Sequence, residues 1–197
     1  MCDFGSVVFL SLVWRVGKRE RKDKNVFKIV RTEALTDAIY LMDVEAPRVA
    51  KNCLPGQFVI VRGSEDGERI PLTICDYSRE AGTITIVFQV VGAATEMMKN
   101  LKVGDSFTDF VGPLGRPSEL VEEDLETLKN KKILFVAGGV GTAPVYPQVK
   151  WLHEHGVAAD VIIGGRSKEL IILEEQMKVA NHRIADLENH EQMKERN

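Results

Sequence analysis

The stretch from Lys132 to Pro144, Lys-Ile-Leu-Phe-Val-Ala-Gly-Gly-Val-Gly-Thr-Ala-Pro, constrains the fold more than any other part of the chain. Ile133 to Ala137 is a short apolar run bounded by glycine, which predicts a buried parallel strand. Gly138, Gly139 and Gly141 predict a turn without side chains, where backbone N–H groups can approach a ligand closely. Pro144 suits the first turn of a helix, because the N–H it lacks would have no partner there. Val145, Val149 and Leu152 then fall on one helix face before Gly156. A strand, a glycine turn and a helix N-terminus together form an anion cradle suited to a dinucleotide pyrophosphate. The spacing, Gly-Gly-x-Gly-x-Ala-Pro, differs from the usual Gly-x-Gly-x-x-Gly, so a purely geometric need for glycine also accounts for it.

The 197 residues give room for one large domain or two small ones. A hydrophobic content of 44% and a charged content of 28% are ordinary for a soluble globular protein. The net charge of −3 offers no electrostatic reason to expect nucleic acid, and no patch combines aromatic and basic residues. Cys2, Cys53 and Cys75 are scattered, with no Cys-x-x-Cys pair and no histidine at ligand spacing. That argues against a metal site and a disulfide framework, and fits a reducing cytoplasm. Val7 to Trp14 is apolar but too short to span a bilayer. A basic cluster, Arg15 to Lys24, follows this run where a signal peptide would have it first. Residues 1–25 therefore read as a non-matching N-terminal extension, with an interfacial anchor as the alternative.

From Val26 to about Val111 the pattern is β-rich. Ile39 to Val44, Phe58 to Val61, Thr83 to Val91 and Ser106 to Val111 read as strands. Pro55-Gly56, residues 65–68 and Glu80-Ala81-Gly82 supply turns, and Ala94 to Leu101 reads as a short helix. Short strands separated by turns predict a small antiparallel barrel over residues 26–116. A helical, acidic connector follows over 117–130. Strand, helix and a further strand at Ala159 to Ile163 then alternate over 131–177, a βαβ unit. Leu173, Met177, Ala180, Ile184 and Leu187 recur at helical spacing, so 178–197 reads as a helical tail. One βαβ unit leaves a parallel sheet incomplete.

Two further groups suit phosphate. Arg69-Ile70-Pro71-Leu72-Thr73-Ile74 offers a guanidinium and a hydroxyl on extended chain. Gly92-Ala93-Ala94-Thr95 opens the short helix of the barrel region with a glycine and a hydroxyl. A solvated arginine on an ordinary strand also accounts for the first group taken alone.

Together, Pro55-Gly56-Gln57-Phe58, Arg69-x-Pro71-x-Thr73, Gly92-x-x-Thr95, Gly112-Pro113-Leu114-Gly115 and Gly138 to Pro144 resemble the ferredoxin-NADP reductase superfamily. Their order is similar to one branch, which holds the electron-transfer subunit of dihydroorotate dehydrogenase. The same branch holds the alpha subunit of NADH-dependent ferredoxin:NADP oxidoreductase and the small subunit of sulfide dehydrogenase. The resemblance runs from Val26 to Met177 and implies an antiparallel FAD-binding barrel followed by an incomplete parallel-sheet NAD(P)-binding domain. It implies that Arg69, with Pro71 and Leu72 beside it, binds the FAD diphosphate. Thr73 is expected at the flavin N5 edge, as the one catalytic position, and Gly92 and Thr95 at the pyrophosphate. Gly138, Gly139, Gly141 and Thr142 are expected to face the nicotinamide dinucleotide, and Arg166 the adenosine ribose, where it would favour a 2′-phosphate or stand as a solvated cation.

The implied function is an oxidoreductase subunit carrying electrons between NAD(P)H and an iron–sulfur or ferredoxin-linked partner, docked to a larger catalytic or flavoprotein subunit. Relatives carry a C-terminal cysteine cluster for a [2Fe–2S] centre, which this chain is expected not to bind. The chain reads as truncated and, alone, as a poor catalyst. The alternatives are the dihydroorotate dehydrogenase subunit of pyrimidine synthesis and a non-catalytic flavin-binding or docking module.

Overall fold

The computed structural model describes residues 27–180 and 184–188. The expectations for residues 1–25 lie outside the described residues, as does most of the tail. Among the described residues no helix is long and apolar enough to cross a membrane.

The β-rich region forms β1 (Ile29–Ala34), β2 (Ile39–Glu45), β3 (Phe58–Arg62), β4 (Ile70–Ser78), β5 (Thr83–Gln89) and β6 (Asp109–Leu114). These pair antiparallel in the order β1-β2-β5-β4-β3-β6. The two ends of that order meet. Ile29 N–H donates to Asp105 O at 2.8 Å and Phe107 N–H to Phe27 O at 3.0 Å, so β1 is stitched to the segment entering β6. The sheet is thereby closed into a barrel. Alternation decides what lies inside: Ile84, Ile86 and Phe88 point into the core with Met42, Val44, Val59, Val61, Ile74 and Phe110. A helix that the sequence pattern does not announce, α1 (Pro47–Asn52), adds Val49 and Ala50 to this core. The predicted short helix is α2 (Ala93–Lys99), with Met98 buried beneath it.

The connector is helical as expected, in two pieces, α3 (Glu119–Glu122) and α4 (Leu125–Lys129). Beyond it, β7 (Leu134–Gly138), β8 (Asp160–Gly165) and β9 (Ile184–Glu188) form a parallel sheet in the order β7-β8-β9. Helix α5 (Thr142–Glu154) joins β7 to β8, and α6 (Glu174–Ala180) lies between β8 and β9.

Two expectations are corrected here. Strand β7 is parallel but not buried on both faces: Leu134 is 57% and Val136 68% exposed. It stands at the end of the strand order, and α5 covers only the Phe135 side. The helical tail is not helical throughout. Met177 and Ala180 do lie buried on α6, but Ile184 and Leu187 belong to a strand paired in parallel with β8. Parallel pairing satisfies the backbone of 184–188 along the edge of β8, and that overrides a helical period carried by only two further residues.

Candidate functional site

Strand β4 positions the first group of candidate residues. Ile70, Leu72 and Ile74 pack inward, which turns Arg69, Pro71 and Thr73 to the outer face. Thr73 pairs with Phe58 and Pro71 with Ile60 on β3, and Ile60 pairs in turn with Val111 on β6. Phe58, Ile60, Pro71 and Val111 thus make an apolar shelf on the outside of the barrel. Arg69 stands at one end and Thr73 at the other, about 13 Å apart along the strand. The Arg69 guanidinium donates to Asp109 Oδ2 at 2.6 Å, while 58% of its side chain stays exposed. Asp109 also lies 2.8 Å from Arg62 Nε, so one carboxylate orients two arginines. Gly115 has φ +78°, and a Cβ there would lie 2.8 Å from the Phe58 ring. Gln57, nearly buried, donates to Gly115 O at 2.9 Å and accepts from Leu54 N–H. The Pro55-Gly56-Gln57-Phe58 motif therefore fixes the end of the shelf.

Thr95 is placed differently from expectation. It is buried, and its hydroxyl accepts from Val91 N–H (3.0 Å) and Gly92 N–H (3.1 Å) and donates to Gly92 O. Those bonds saturate it, so Thr95 shapes the turn rather than offering a free donor. Gly92, in contrast, has open space where a Cβ would stand. The shelf, the exposed guanidinium and the open Gly92 fit a flat ring system with an anionic tail, as FAD has.

The second group lies at the carboxyl ends of β7 and β8. Gly138 approaches the neighbouring strand so closely that a Cβ would stand 3.0 Å from Gly164 O. Gly139 has φ +52°, a left-handed turn that favours glycine, and its Cβ position is open, as is that of Gly141. A crevice of about 440 Å³ opens here between Gly138, Gly139, Gly164 and Arg166 on one wall and Thr36 and Gln89 of the barrel on the other. Its lining holds one arginine and no carboxylate, an electrostatic setting for an anion. Thr142 is not in that lining. It is fully buried at the start of α5, with its hydroxyl unpartnered, so it faces the interior of the fold.

No family model matches the chain. A Clostridium beijerinckii protein named "Uncharacterized protein in adh 3'region" is 59% identical over 155 residues, 79% of this chain and 52% of that protein. A Thermotoga maritima protein named dihydroorotate dehydrogenase B (NAD(+)), electron transfer subunit homolog, is 39% identical over 151 residues, 77% of this chain and 51% of that one. The solved structure of an NADH-dependent reduced ferredoxin-NADP oxidoreductase superposes with a TM-score of 0.76 at 34% identity, covering 86% of this chain and 59% of that chain. The fold is that of the ferredoxin-NADP reductase superfamily. The chain spans about half the length of the curated relatives it matches.

Within this ferredoxin-NADP reductase-like fold the two groups share an apolar seam. Ile39, Leu41, Cys75 and Val87 on the outer barrel face pack with Ala143 of α5 and with Ile172 and Leu173 beyond β8. Thr73 lies two residues from Cys75 on the same outer face, at the edge of this seam. Burial raises the Cys75 thiol, with Asp76 and Asp43 adding to it, and pushes the Cys53 thiol up to about 11. Neither is a thiolate near neutrality, so neither is primed as a nucleophile or soft ligand. Among the described residues no group of three or more His, Cys, Asp or Glu could hold a metal ion. Sequence reasoning missed Asp109 and the barrel wall at Thr36 and Gln89, and it found Gln57 only as part of a motif, without its bonds to Leu54 and Gly115. Nothing in a linear pattern links Asp109 to Arg69, forty residues away. The glycine pair Gly164-Gly165 that ends β8 was the available signal for the crevice wall.

Proposed function

We propose that this chain holds the flavin and nicotinamide half-sites of an electron-transfer subunit, which carries electrons between NAD(P)H and an iron–sulfur or ferredoxin-linked partner. The observation that supports it is the arrangement on β4. A shelf with a cation and a hydroxyl at its ends runs directly into the seam against α5, whose glycine turn opens the anion-suited crevice. Arg69, held by Asp109, would grip the FAD diphosphate, with Gly92 admitting it closely and Thr95 keeping that turn in shape. Pro71 and Leu72 present the shelf backbone, Leu72 by anchoring it inward. Thr73 would contact the flavin edge nearest the crevice. Gly138, Gly139 and Gly141 would admit the pyrophosphate, Arg166 would meet the adenosine end, and Thr142 would support the turn from beneath. FAD, when bound, supplies the two-electron to one-electron exchange.

A larger catalytic or flavoprotein subunit would receive the electrons. Cys53 and Cys75 are buried apart from any ligand cluster, so a [2Fe–2S] centre would lie outside the described residues. The dihydroorotate dehydrogenase role is the second reading, favoured by the name of the Thermotoga relative. Arg69→Ala should weaken FAD binding by about 1.5–3 kcal/mol, the scale of a hydrogen bond to a charged group. Flavin fluorescence titration reads this directly. A folded chain that leaves FAD fluorescence unquenched would remove the flavin assignment.

A further inference from the structure

We propose that a bulge in β4 and the ion pair Asp76–Lys150 form a joint that sets the dinucleotide crevice against the flavin shelf, making Lys150 a positioning residue. The inference rests on the flavin reading above, but its structural basis does not.

The joint begins in the strand register. Ile74 pairs with Ile86, yet Asp76 pairs with Thr85, so β4 carries one extra residue between them. Ile74 points into the barrel core and Cys75 out to the seam. Strict alternation would send Asp76 back inside, among Ile84, Ile86 and Val44, where an unpaired carboxylate is costly. The bulge turns it out beside Thr85, and Tyr77, paired with Ile84, returns to the barrel side. Asp76 Oδ1 then accepts from Lys150 Nζ at 2.7 Å and from Tyr77 N–H at 2.8 Å.

Lys150 stands on the face of α5 that meets β4. Ala143, Tyr146 and Lys150 follow one another at helical spacing along that face, and Ala143 and Tyr146 pack on the seam around Cys75. From Ala143 to Lys150 the helix rises about 10 Å. Two contacts separated by that length, one apolar and one ionic, fix both the position and the tilt of α5 on β4. The glycine turn precedes the first contact, and Thr73 lies two residues before Cys75, so both half-sites hang from the same pair of elements. Beyond the ion pair the interface opens into a polar cavity of about 490 Å³ whose walls include Arg31, Asp43, Glu80 and Glu154. Continuous packing therefore does not back up the joint on that side.

The test compares the wild-type chain with Lys150→Met, Asp76→Asn, the double variant and Lys150→Arg. FAD affinity and NAD+ affinity should stay within about twofold, because neither half-site loses a contact. Flavin bleaching by NADH should slow about five- to tenfold in Lys150→Met, since misplacement of reacting groups is what geometry penalises most steeply. Lys150→Arg should restore most of the rate, and the double variant should be no slower than either single one. In the ligand-free chain, amide hydrogen exchange should rise at the start of α5 in Lys150→Met but not in Lys150→Arg. Bleaching and exchange both at wild-type levels in Lys150→Met would overturn the joint. Failure of the wild-type chain to bind FAD would instead sink the flavin reading, and exchange in the ligand-free chain would still decide whether the pair holds α5.

Discussion

The barrel and the parallel sheet solve the same problem, covering a sheet, to different degrees. The barrel closes on itself, and its core runs without interruption from Ile29 through Met42, Ile84, Ile86 and Phe88 to Phe110. Among the described residues the parallel sheet has helices on one face, leaving Leu134 and Val136 of β7 in contact with solvent. Its apolar contacts divide into smaller clusters around Val149 and Leu152. Rigidity and openness to ligands are thus divided between the two regions. The barrel supplies a fixed platform with its polar residues turned outward, and the sheet supplies open glycine ends that a ligand can approach.

Core substitution should separate the two regions most sharply. Phe88→Ala, at a site 1% exposed, should cost about 3–5 kcal/mol and unfold the barrel. Chemical denaturation followed by far-UV circular dichroism measures it. An equal cost for a substitution on the exposed face of β7 would erase the contrast. Thr95→Val should cost about 1–3 kcal/mol, because the Val91 and Gly92 N–H groups lose the hydroxyl that accepts from them, while Gly92 O keeps the Glu96 N–H. Gly139→Ala should cost about 1–2 kcal/mol from the left-handed backbone alone. Its neighbourhood is open, so a larger loss in dinucleotide affinity than in stability would localise the ligand to this turn.

The pH dependence sharpens the comparison further. Burial pushes the Cys53 thiol from 9.0 up to about 11 in the folded chain, and raises the Cys75, Tyr77 and Tyr146 groups too. The folded state thus holds these protons more tightly than the unfolded one. The Cys53 contribution is complete below pH 9 and is lost as pH climbs from 9 toward 11, whereas that of the tyrosines, whose ordinary value is 10, is complete below pH 10 and is lost only above it. The urea midpoint should be level from pH 7 to 8.5 and fall above 9, less steeply in Cys53→Ala. The smallest effect is expected at Val136→Ser, within about 0.5 kcal/mol for an exposed position. A markedly larger cost would mean that something covers this face in solution.

Much of this was legible in the sequence, for physical reasons. The β-branched run in Thr83 to Val91 and the apolar run before Gly138 locate β5 and β7 within a residue or two. The glycine turn and Pro144 mark the start of α5 in the same way. What alternation cannot show is a departure from itself: the extra residue at Cys75–Asp76 is visible only once β4 is laid against β5. Nor does a period distinguish α6 from β9, since Ile184 and Leu187 continue the helical count while pairing decides for the strand. The candidate residues were found as types, but their duties were not. Thr95 spends its hydroxyl on its own turn, Thr142 is buried under the helix, and Arg69 depends on an aspartate distant in sequence.

If β4 carries both half-sites into one working arrangement, FAD and NADH bound to this chain must react with each other. Rapid mixing of NADH with the FAD-loaded chain reads that reaction. The flavin should bleach, at less than about 10 per second, the common scale for complete enzymes. A chain that binds both FAD and NADH yet leaves the flavin oxidised over hours would contradict that arrangement.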